Sequence, residues 1–349
     1  MNITRKVMFR DVMSALVSVM ALSLPLQVMP VYASTSGITL SVFSTFPSEA
    51  LTAACGKTLH NDQAVCTEDA LAPEQFITAL QTKVPFNAIL PFEDAADYSL
   101  LVANLGQTLA SSPEEKQLTE FTLQWRGLEI DSFTVIKENT QDTKSHAIAN
   151  DMVDAWYRYV ETNNVFTTPF LYDALQASDY ENHLYVPERV GTFTRLDTQL
   201  YPDPFRGSVT RYIHPTFEEA LVDVTVYPIL ASLDSDTDEL LNAALNEDWN
   251  RAGDVATAKN LQLSQAAPAS PYIVSETLKG WRLGLKAESE LEPTIFATTY
   301  VFQLSDKYIK VATTFPADFS DPIIDELVGQ IAVPDESPLM VEIRKMLVN

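Results

Sequence analysis

Residues 37–46 alternate, with Ile38, Leu40 and Val42 on one side, and the run stops at Pro47; a period of two predicts a strand. Pro73 opens a helical spacing through Phe76, Ile77 and Leu80 that Pro85 closes. Strands are predicted over 98–104, 118–126 and 128–137, where Phe121, Leu123 and Trp125 share one face. From Ala147 to Glu161 the period becomes helical. Ile148, Met152, Ala155 and Tyr159 form its stripe, and Asp142, Thr143 and Ser145 offer capping oxygens. A short helix over 169–177 begins at Pro169.

The pattern breaks between Tyr180 and Gly191, where Pro187 and Gly191 interrupt it, so a domain boundary is expected there. Beyond it the predicted order is strand (192–200), strand (207–213), strand (220–229) and helix (237–251). Three strands near 272–287, 294–304 and 307–315 and a helix over 321–332 follow. Within 222–227, Val222, Val224 and Val226 face one way and Asp223, Thr225 and Tyr227 the other, the mark of a half-solvated antiparallel strand. Asp321 is placed as the cap of the last helix and Pro322 at its first position, ahead of Ile324, Leu327, Val328 and Ile331.

Runs of antiparallel-type strands broken by one or two helices predict an α+β protein of two domains, each mainly antiparallel sheet packed with helices. The expected division is 1–33 as a signal segment, 34–186 as the N-terminal domain and 187–349 as the C-terminal sandwich. Over 190–332 the element order resembles the PsbP/Mog1 type of α/β/α sandwich. That resemblance implies an accessory or binding module more often than an enzyme.

Composition narrows the class. Hydrophobic residues make up 46% of the 349 positions, enough for a substantial core. A net charge of −24 would repel nucleic-acid backbones and anionic membrane surfaces. At the N-terminus Arg5, Lys6 and Arg10 precede an apolar run from Val12 to Met29, and Val31-Tyr32-Ala33 supplies a cleavage site. The reading is export with cleavage after Ala33, leaving no membrane span and a periplasmic or secreted location; an uncleaved anchor of about 18 residues competes with it. Leu51-Thr52-Ala53-Ala54-Cys55 resembles a lipidation box, but the leucine sits one position early and Glu49 lies in the approach. Cys55 and Cys66 are the only cysteines, and in an exported chain they read as a disulfide in preference to a redox pair.

Chemistry-bearing motifs are sparse. Asp234, Asp236 and Asp238 match the start of a calcium loop, but Glu239 and Leu245 stand where it needs Gly and a bidentate Glu; helix capping accounts for the same acids. His60, His146, His183 and His214 have no zinc spacing, and there is no nucleophile elbow, phosphate loop or dinucleotide turn. No cofactor, metal or catalytic residue is assigned. Aromatic residues cluster at Trp156, Tyr157 and Tyr159 and at Tyr180, Tyr185, Tyr201, Phe205 and Tyr212. Arg189, Arg195, Arg206 and Arg211 accompany the second group. Tyr201, Phe205, Arg206 and Arg211 are the candidate contacts for an envelope protein or small ligand, with internal structural pairing of Arg and acids as the competing use. The function expected is a non-catalytic binding or accessory module; a secreted hydrolase is the alternative.

Overall fold

A computed structural model describes residues 37–56, 64–109, 112–139, 145–289 and 293–348. The expected signal segment, its cleavage point after Ala33, and His60 lie outside the described residues. Two compact units meet in the sequence at Leu175 and Gln176. The α+β class holds in both: each is an antiparallel-dominated sheet packed with helices.

The first unit contains strands β1 (Thr39–Ser44), β2 (Ala64–Glu68), β3 (Ala88–Pro91), β4 (Tyr98–Leu109), β5 (Ser112–Trp125) and β6 (Leu128–Asn139). Its helices are α1 (Glu49–Cys55), α2 (Pro73–Lys83), α3 (Ser145–Thr162) and α4 (Thr168–Ala174). The strands lie in the order β3-β1-β4-β5-β6, with β2 pairing the far end of β4; β1 is parallel to both neighbours and the other pairs are antiparallel. Period two puts Leu100 and Val102 of β4 and Phe121 and Leu123 of β5 in one buried layer. Helix α3 buries Ile148 and Met152 of the predicted stripe, but Trp156 and Val160 instead of Ala155 and Tyr159. Trp156 stacks on Phe121 at 5.6 Å between centroids, and Phe76 of α2 meets Phe121 edge-on at 6.0 Å. Trp156 and Tyr159 are therefore core and core-edge groups, Tyr159 stacking on Phe133 and donating to Asp131 at 3.0 Å. On the opposite side Leu51 and Cys55 of α1 pack on Ala103, Leu105 and Leu118. The Cys55–Cys66 disulfide, with 6.1 Å between Cα atoms, ties α1 to β2.

The second unit contains α5 (Tyr180–His183), β7 (Arg189–Val190), β8 (Phe193–Leu200), β9 (Ser208–Ile213), β10 (Leu221–Pro228) and α6 (Thr237–Ala258). Then come β11 (Gln262–Ile273), β12 (Lys279–Glu288), β13 (Ile295–Leu304), β14 (Lys307–Thr313), α7 (Ala317–Leu327) and α8 (Pro338–Val348). Its eight strands run β11-β12-β13-β14-β10-β9-β8-β7, antiparallel throughout. Leu241, Leu245 and Ala252 of α6 pack on Leu283, Leu285, Ala297, Val301 and Ala312.

Three sequence expectations change here. Strand β11 comes before the predicted 272–287 run, which itself divides at a turn; Pro268 and Pro271 hide its alternation. Strand β10 is buried on both faces instead of half-solvated, because it lies inside the sheet and Asp223 and Thr225 are 0% and 2% exposed. Helix α7 starts at Ala317 after Pro316, leaving Pro322 inside it. Asp321 is not its cap: its carboxylate accepts from Arg282 Nη1 at 2.6 Å and from the Tyr300 hydroxyl.

Candidate functional site

The turn predicted as a contact loop joins β8 to β9. Asp203 caps it through Phe205 N at 2.9 Å, and Pro204 starts its single 3-10 turn. Gly207 closes it at φ 63°, where a Cβ would collide with the Val226 carbonyl oxygen of β10. The Arg206 guanidinium lies over the Tyr201 ring, 4.4 Å from its centroid. Tyr201 is not exposed beside Arg206; it is buried beneath it, and burial pushes its hydroxyl up to about 12.

Arg211 turns the same way from β9. Its Nε and Nη2 donate to Asp223 Oδ1 and Oδ2 at 2.7 and 2.6 Å, a bidentate pair between directly opposed residues of β9 and β10. Asp197 of β8 is the cross-strand neighbour of Arg211 on the other side, so an acid–base–acid row crosses three strands. Burial holds the Asp223 carboxyl above its ordinary range, while Arg211 pulls it down. Tyr201, Arg206 and Arg211 thus come together with Asp223 as a preformed polar cluster, with Phe205 half-buried on the same turn. Within the cluster the charges of Arg211 and Asp223 face each other.

Other predicted residues disperse. Tyr212 is buried and donates to the Pro187 carbonyl, Arg195 Nη1 donates to Val186 O at 2.8 Å, and Arg189 is exposed. Asp236 caps α6, accepting from Asp238 N at 2.8 Å and Glu239 N at 3.3 Å; Asp238 accepts from Trp281 Nε1 at 2.9 Å. Among the described residues no three His, Cys, Asp or Glu side chains converge as metal ligands.

Two features lay outside the sequence reading. The first is a recess of about 340 Å3 lined by Ser178, Asp179, His183, Asp335, Ser337 and Pro338 among others. His183 Nδ1 stands 3.3 Å from Asp179 Oδ2, a pair that the i,i+4 spacing could have flagged. Asp179 also caps α5 through Asn182 N at 3.0 Å, and bonds from Asn182 lower its carboxyl. Ser337 Oγ accepts from Met340 N at 3.3 Å in the first turn of α8, and Ser178 Oγ is buried. Asp179 and Ser337 are spent on helix ends, whereas the buried Ser178 Oγ has no hydrogen-bond partner among the described residues.

The second is an aromatic end of the sheet. Phe193 of β8 lies 5.2 Å from His214 and 5.7 Å from Phe315; His214 lies 4.9 Å from Phe217. His214 Nδ1 accepts from Thr216 N and Phe217 N at 3.1 and 3.2 Å, which fixes the turn presenting Phe217. Phe217 is 61% exposed, and Phe319, in the first turn of α7, is 70% exposed. Glu218, Glu219 and Asp318 beside them are exposed and make no ion pair among the described residues.

Fold and sites together define an α+β protein whose distinctive surface is aromatic and acidic. No family model matches the chain, and no curated protein matches it. Among solved structures it is similar to the solution structure of cyanobacterial PsbP (CyanoP) from Synechocystis sp. PCC 6803. The identity is 14% over 45% of this chain and 89% of that one, with a TM-score of 0.30. The likeness is a weak fold-level resemblance and carries no function to this chain.

Proposed function

We propose that the chain is a non-catalytic binding protein acting outside the cytoplasm, which takes a basic segment of a partner protein on the aromatic end of its second unit. The observation carrying this reading is the exposure of Phe217 and Phe319, each next in sequence to acids that make no ion pair among the described residues. Large exposed rings on a fixed support cost solvation free energy that a monomer has no reason to bear, and they are the residues that dominate interfaces. The adjacent carboxylates complement Lys and Arg, whose guanidinium and ammonium groups also bind ring faces. The Cys55–Cys66 disulfide supports an oxidising compartment. The Arg/Tyr turn then serves as scaffold, holding β8–β10 in register.

The test is capture from an envelope extract by the tagged chain and by its Phe217→Ser/Phe319→Ser variant. A protein retained by the first, released by about 0.5 M salt and lost from the second is the expected result. Equal retention by both overturns the reading. Turnover of a generic ester abolished by Ser178→Ala or His183→Ala would move the function to the recess.

A further inference from the structure

Sheet edges offer unpaired N–H and C=O groups, and proteins protect them by shortness, proline or irregularity. Among the described residues, four of the five edges are protected in those ways. Strand β3 has four residues and ends at Pro91, β2 has five and is tied down through Cys66, and β7 has two. Strand β11 carries Pro268 and Pro271 and two register shifts. Strand β6 differs: it has twelve residues, no proline, and an unbroken register against β5 from Asp131 to Asn139. Its outer edge has no backbone partner among the described residues.

We propose that β6 is the pairing edge for a second copy of this chain, joined antiparallel about a two-fold axis at Thr134. The sequence of the strand carries the choice of occupant. Asp131 and Phe133 face α3, where they meet Tyr159, and period two puts Val135 and Lys137 on the same face. With the axis at Thr134, Asp131 of each copy stands opposite Lys137 of the other, and Phe133 stands opposite Val135, so each pair occurs twice. Lys137 makes no ion pair among the described residues, whereas its neighbour Glu138 is already held by Lys116 at 2.9 Å. On the other face Thr134 opposes its own copy, and Ser132 opposes Ile136, which is 54% exposed. Moving the axis to Phe133 sets Asp131 against Val135 and leaves Lys137 facing Glu129 across the bulge at Ile130. The pairing makes one continuous sheet from two first units and is independent of the aromatic end.

The full chain is examined by sedimentation at about 0.15 M salt, where its net charge is screened beyond about 8 Å. Its weight-average mass is expected to rise toward twice the monomer value across the micromolar range, and Lys137→Asp is expected to hold it at the monomer value. Thr134→Cys and Ser132→Cys fix the register. Opposed residues of an antiparallel pair have Cα atoms about 4.5–5.5 Å apart, within disulfide reach, so mild oxidation should link Thr134→Cys copies. Ser132→Cys copies are not opposed and should stay unlinked. Equal linking of both variants, or a monomer at every concentration with neither linked, overturns the proposal.

Discussion

Among the described residues, the larger polar side chains taken out of water in the first unit are Asn104, Gln107, Gln117 and Thr119, all neutral; in the second they include Asp223, Asp248, Asp306, Lys307, Lys310 and Arg344. Asn104 is satisfied by near neighbours: it accepts from Leu71 N at 2.8 Å and donates to Thr119 Oγ1 at 2.8 Å. Asp248 of α6 instead accepts from Lys310 Nζ of β14 and Arg251 Nη2, each at 2.7 Å, and Arg344 of α8 reaches the Ile229 carbonyl at 2.7 Å as well as Asp306 and Glu336. Both units are sheets packed with helices, but the first is held by aromatic packing and one disulfide, and the second fastens its helices with buried charge. Neutral groups tolerate the loss of a partner better than charges do, because an unpaired buried charge must shed its proton state or draw in water. The difference predicts unlike responses to truncation and to pH.

Truncation should separate the units most. Asp248→Ala leaves Lys310, 2% exposed, without its counter-charge, and should cost about 3–5 kcal/mol in the second unit. Asp248→Leu combined with Lys310→Met should recover most of that loss. Trp156→Ala should cost a comparable ~3–5 kcal/mol in the first unit through lost packing. Hydrogen exchange under denaturant reads each unit separately. Equal destabilisation of both units by either change would show that they unfold as one, and would dissolve the comparison.

Reduction of the Cys55–Cys66 bridge comes next. Freeing its short loop should lower the stability of the first unit by about 3 kcal/mol and leave exchange in the second unchanged. Thiol titration of the denatured, unreduced chain should find no free thiol; two would remove the bridge from the account.

Alkali should give the smallest effect and act mainly on the second unit. Burial pushes the hydroxyls of Tyr98 in the first unit and Tyr201 in the second up to about 12. In the second unit it also raises Tyr212, Tyr227, Tyr272, Tyr300 and Tyr308, and in the first Tyr159. A raised folded value means stability that is complete below the ordinary tyrosine value near 10 and is lost as pH climbs through the folded value. The same burial lowers Lys307 and Lys310, whose contribution grows with pH up to the ordinary lysine value, so they offset part of the loss. Between pH 10 and about 12 the second unit should therefore weaken more steeply. Absorbance at the tyrosinate band should show most second-unit tyrosines ionising only on unfolding; titration near 10 in the folded chain would contradict their burial.

Local chemistry along the chain was enough to set the α+β class, the helix α3 with Ile148 and Met152 on its buried side, the Cys55–Cys66 pairing and the use of acids near Asp236 as a helix cap. Each depends on period, spacing or a neighbour within a turn or a short loop. Tertiary structure alone decided which side chains meet across the sheets. Nothing near Asp223 or Asp248 in sequence announces Arg211 across a strand pair or Lys310 from a strand beyond β13, because an acid on a strand or helix reads as solvated until its opposite position is known. The same ignorance made β10 look half-exposed, hid β11 behind its prolines, and moved the start of α7 once Asp321 was claimed by Arg282 and Tyr300. It also concealed the aromatic end, since Phe193, Phe217 and Phe315 are distant in sequence and only strand order brings their rings together. Periodicity reports which face a residue takes; register, which depends on the whole sheet, determines what that face meets.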